Sequence, residues 1–160
     1  MLKKTIMLGM AGLLAVSAFA GRSGQFGEAN LTAVMHVSQP IVITAQHNLD
    51  FGEVVSGAAA DVVVAASDAS AAQFSATGEA DAEVVAGMVA NNISMTNAKT
   101  NDKITVDTWT YGGDINKQNV ATFSNSGKLS DLRVGGTAHV TANVAGGDYT
   151  GTGKFRLTYV

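Results

Sequence analysis

From Gly147 to Val160 the chain alternates between two sets of side chains without interruption, and this run constrains the fold more than any other. Tyr149, Gly151, Gly153, Phe155, Leu157 and Tyr159 fall on one side of an extended backbone, while Thr150, Thr152, Lys154, Arg156 and Thr158 fall on the other. One face is apolar and aromatic and the other polar, as in a strand between core and water. The run contains no Pro, so every residue carries an N–H that must find a strand partner or remain in water. Such a strand closes a sheet or offers its edge to another chain.

The same period of two recurs upstream between clusters of Gly, Asn, Asp and Ser, which is the pattern of an all-β sandwich or barrel. It predicts strands near 31–37, 41–44, 50–55, 61–65, 73–77, 82–86, 92–95, 103–109, 121–123, 132–134, 137–144 and 149–159. Ala and Glu in 81–90 suit a short helix, but Val84, Val85, Val89 and the interrupting Gly87 favour strand. Ala145-Gly146-Gly147-Asp148 reads as a hairpin turn joining 137–144 to 149–159 as an antiparallel pair.

The first twenty residues have the pattern of a cleaved secretory signal: Lys3 and Lys4, an apolar run from Ile6 to Val16, then Ala18-Phe19-Ala20. That run is short for a membrane span, so the expected product is an exported chain of residues 21–160 with no membrane span, made of one domain. Without Lys3 and Lys4, eight basic residues remain against 13 acidic ones, a net charge of -5 that disfavours nucleic acid as a partner. The absence of Cys excludes disulfide staples, so stability must come from sheet pairing and a thin core rich in Ala and Gly.

No activated nucleophile, G-x-S-x-G elbow or H-E-x-x-H pair is present, and the expectation is a protein without catalytic centre or cofactor. Gly151-Thr152-Gly153 begins like a phosphate loop but continues as a strand. His36, His47 and His139 lack ligand-like spacing and suit strand faces better than a metal. Glu79, Asp81 and Glu83 share one face if extended, giving either a Ca²⁺ site or a solvated acidic edge. Trp109 and Tyr111 are either a sugar-stacking pair or core packing.

Four segments in order resemble a family of secreted bacterial domains known as domain of unknown function 4402. They are Leu49-Asp50-Phe51-Gly52, the stretch from Ala72 to Glu79, the stretch from Leu132 to Val140, and Gly147-Asp148-Tyr149-Thr150-Gly151 leading into Lys154-Phe155-Arg156-Leu157-Thr158-Tyr159. The end of the chain also resembles fimbrial subunits assembled by the chaperone-usher route, with Tyr159 penultimate and Gly147 fourteenth from the C-terminus.

The second resemblance implies an immunoglobulin-like, pilin-like sandwich over 38–160 that lacks one strand, with an N-terminal extension over 21–37. It implies a groove beside the C-terminal strand, carried by Gly147, Tyr149, Phe155, Leu157 and Tyr159. The same resemblance implies a periplasmic chaperone that fills this groove in transit to an outer-membrane usher, and the extension of a second copy that fills it in the surface fibre. Leu31, Ala33, Met35 and Val37 have the spacing of donor side chains, against the alternative that 31–37 is simply the domain's own first strand. The alternative is a self-contained extracellular binding module for carbohydrate or matrix.

Overall fold

The computed structural model describes residues 27–160, which contain ten strands and no helix. In chain order the strands are β1 (Val42–His47), β2 (Ala60–Val64), β3 (Ala72–Thr77), β4 (Glu83–Met88), β5 (Ile93–Asn97), β6 (Lys103–Gly113), β7 (Val120–Thr122), β8 (Lys128–Val140), β9 (Tyr149–Thr150) and β10 (Phe155–Tyr159). The all-β sandwich expected from the alternation is the observed architecture. A larger sheet runs β1-β3-β8-β6-β5-β9 with β2 also on β8, and a smaller one runs β10-β4-β7.

β8 organises the larger sheet. One of its edges pairs with β6; the other pairs first with β3, up to Val134, and then with β2 from Gly136 onward. Gly135 lies at the changeover, where a Cβ would strike the Val64 carbonyl oxygen, with the Thr110 hydroxyl at 2.5 Å. Gly136 leaves room for the Trp109 ring, 3.0 Å from where its Cβ would be. The two glycines therefore allow one strand to serve three neighbours, and 128–140 is continuous where the alternation suggested two shorter strands.

Two shifts of register keep apolar residues inside. In β6, Ile104 and Val106 are buried, and the next large apolar residues are Trp109 and Tyr111, out of phase by one. A bulge between Asp107 and Thr110, with Thr108 at φ 52°, absorbs the extra residue. Similarly, β8 brings in Leu129 and then Leu132 across an irregularity opposite Phe74 and Ala76 of β3.

The smaller sheet covers half of the larger one. Val84, Ala86, Ala121, Phe123 and Leu157 meet Ala76, Leu129 and Leu132 in the main core. The other half carries a second cluster, Ile104, Val106, Ala138 and Val140, with Phe51, Val144 and Tyr149 packed on it.

Several expected elements differ. Residues 31–37 and 50–55 are not strands, and no described strand forms a ladder with 31–37. The predicted hairpin is absent. Residues 141–148 form a wide link instead, and the terminal run splits, β9 pairing with β5 and β10 crossing to β4 in the other sheet. Glu79 and Asp81 lie in the turn before β4, Asp81 at φ 59°, so only Glu83 of the acidic trio is on a strand. The proposed signal segment and residues 21–26 lie outside the described residues.

Candidate functional site

The end of the chain forms one wall of a groove. Val89 donates its N–H to the Lys154 carbonyl, and Val160 donates to the Glu83 carbonyl. With the intervening register Phe155↔Met88 through Tyr159↔Val84, this phase turns the N–H and C=O groups of Arg156 and Thr158 toward β4. Those of Phe155, Leu157 and Tyr159 point to the opposite edge, where no described strand pairs with them. Their side chains face inward: Leu157 is buried, Phe155 stacks on Phe74 at 4.9 Å between centroids, and Tyr159 approaches Phe123 at 6.2 Å.

Beside Phe155 an open groove of about 560 Å³ runs between the sheets, lined by Ala45, Phe74, Met88, Trp109 and Phe155. It shares Leu49, Phe51, Met95 and Tyr149 with a second cavity of about 640 Å³ under the links 48–56 and 144–149. The apolar floor thus continues from the β10 edge into the second core, and Asp50, Glu53 and Asp148 are the charged residues of the second cavity.

Tyr159 holds the two sheets together at the other end. Its hydroxyl accepts the Glu79 N–H at 2.8 Å and donates to the Gln39 carbonyl at 2.8 Å, just ahead of β1. Tyr159→Phe keeps the ring and removes both bonds. The expected loss of stability is about 1–2 kcal/mol, measured by denaturant unfolding; an unchanged midpoint would show that water replaces the hydroxyl without cost. Gly147, at φ 142°, sits where a Cβ would come within 2.7 Å of the Asn97 side-chain nitrogen. Glycine suits that positive φ, which L side chains rarely adopt, just before β9 pairs with β5.

The candidate donor residues occupy a different setting. Leu31 is 93% exposed, Met35 86% and Val37 79%, and Ala33 is also exposed. Trp109 and Tyr111 do not form one platform. Trp109 donates its indole N–H to the Ala90 carbonyl and packs on the second cluster, while the Tyr111 hydroxyl accepts the Met88 N–H beside the main core.

Sequence reading missed a clamp at His139. Its Nδ1 lies 2.7 Å from an Asp61 oxygen and its Nε2 2.8 Å from an Asp107 oxygen, joining β2, β8 and β6 on the outer face of the larger sheet. The carboxylates lie 78 and 32 residues away, so no local motif reveals them. Hydrogen bonding to Asp107 first, then to Asp61, raises the His139 pKa above its ordinary 6.5. The same contact with His139, assisted by Thr108, lowers Asp107 below 3.8.

A histidine whose folded pKa is raised contributes stability that is complete below its unfolded value and lost as pH rises through the folded value. Wild-type stability is therefore expected to decline above about pH 6.5, whereas His139→Gln should lack that decline. Denaturant melts at pH 6 and pH 9 measure the difference; parallel pH profiles would contradict the clamp. At the acid end, the Asp107 contribution is lost as pH falls through its depressed value.

Comparison with known proteins gives one match. The family model described as a domain of unknown function, DUF4402, covers residues 41–159, from the residue before β1 to the end of β10. No curated protein and no solved structure matches the chain. Since the matched region contains all ten strands and most of the chain, this protein belongs to the DUF4402 family.

Proposed function

We propose that this protein is a structural subunit of a cell-surface fibre and polymerises by β-strand donation. The observation that carries this reading is the outward N–H and C=O row of Phe155, Leu157 and Tyr159, which begins at Phe155 beside a largely apolar groove. An extended segment laid against that edge gains main-chain hydrogen bonds, and its alternate side chains enter the groove. Leu31, Ala33, Met35 and Val37 of a second copy supply those side chains, with the spacing of an inward face. Because donor and acceptor are different surfaces, each subunit offers one of each, and the contact propagates instead of closing. Export through the periplasm, with a chaperone and usher as transit partners, belongs to the same proposal.

A second reading, a self-contained extracellular binding module, draws support from the 640 Å³ cavity, whose size suits a small ligand. Size separates the two. Residues 21–160 in non-denaturing buffer should give ladders or thin filaments that dissociate only on boiling. A folded monomer of about 15 kDa, at ~110 Da per residue, would instead contradict strand donation.

A further inference from the structure

The strand edges of the larger sheet differ in how they are guarded. β1 carries a bulge between Ala45 and His47, and β9 has only two residues. In the smaller sheet, β7 has three residues and β10 borders the groove. β2 has none of these features. Its five residues, Ala60-Asp61-Val62-Val63-Val64, pair in unbroken register with β8 on one side, and no described strand pairs with the other. It contains no Pro or Lys, and its one charge, Asp61, is held by His139 on the outer face. Val63 on that same face is 64% exposed. An edge of β-branched residues without a bulge, a proline or an uncompensated charge is the kind that accepts another strand.

We propose that β2 is a self-association surface, pairing antiparallel with β2 of a second copy about a twofold axis through Val62. This register is self-complementary. Val62 faces Val62 of the second copy, Ala60 faces Val64, and Asp61 faces Val63, so all five residues pair. The two Asp61 carboxylates lie diagonally instead of opposite, and each has its own His139 as counter-charge. A five-residue edge makes a weak contact on its own. Repeated along a fibre it becomes multivalent and joins neighbouring fibres side by side. The pairing itself does not depend on strand donation, since it uses neither the groove nor residues 31–37.

The chain has no cysteine, so a single introduced one reports on the register. Under mild oxidation Val62→Cys should give a covalent dimer on a non-reducing denaturing gel, because opposed residues of an antiparallel pair lie within disulfide reach. Asn125→Cys, in an exposed turn, is the control for random collision. Adding Val63→Asp places a carboxylate opposite Asp61 and should abolish the dimer. Carrying Leu31→Asp and Met35→Asp in the same chain removes strand donation and should leave the dimer intact. The proposal is overturned if Val62→Cys cross-links no faster than Asn125→Cys, if Val63→Asp leaves the dimer unchanged, or if the dimer disappears with the donor substitutions.

Discussion

Changing Leu31 and Met35 together to aspartate should yield a folded monomer that no longer forms heat-resistant ladders. Both residues are strongly exposed, at 93% and 86%, and lie in no strand, so the domain over 38–160 should unfold at its wild-type midpoint. The effect is confined to the donor role. The groove beside Ala45, Phe74, Met88, Trp109 and Phe155 has no Lys or Arg in its lining, and His47 is its one basic side chain. Burying one unpaired charge there costs at least about 3 kcal/mol, or over 100-fold in affinity, and the second aspartate adds to it. Sedimentation of wild-type and doubly substituted chains measures this directly. Filaments of unchanged length and heat resistance would show that another segment, or none, fills the groove.

The second large effect is on stability. Phe123 is 1% exposed and touches both sides of the main core: its ring leaves no space for a side chain at Gly78, and it meets the Tyr159 ring at 6.2 Å. Its backbone is fixed by donation to the Ala82 carbonyl at 2.9 Å. Because the surrounding residues belong to strands of two sheets, they cannot close in on the space left by Phe123→Ala. The expected loss is about 3–5 kcal/mol, a large part of the roughly 5–15 kcal/mol available to a domain. Thermal unfolding should shift downward by about 10 °C or more; a shift within a degree or two would mean that the core relaxes around the cavity.

The strand faces were the most legible part of this fold. Phe155, Leu157 and Tyr159 turn inward as their alternation requires, and Val84, Ala86, Val106 and Ala138 are buried on strands that the period of two located. The phase jump from Val106 to Trp109 was also present in the sequence as a break in period two, and the bulge at Thr108 is its structural expression. Pairing was much less legible. Gly146 and Gly147 look like a tight turn, but Gly147 serves a close approach to Asn97, and β10 finds its partner at β4, some seventy residues earlier. Local composition cannot encode which distant strand satisfies an edge. The His139 clamp was hidden for the same reason, since its two carboxylates become neighbours only through β2-β8-β6 order.

Strand donation makes a residue-by-residue demand on β10 that amide hydrogen exchange can read. In the monomer, the N–H groups of Arg156, Thr158 and Val160 point toward β4 and should exchange slowly, while those of Phe155, Leu157 and Tyr159 face the open edge and should exchange quickly. In the assembled fibre Phe155, Leu157 and Tyr159 should become protected together. If all three continue to exchange at the monomer rate in the fibre, the β10 edge receives no strand and the subunits do not join by strand donation.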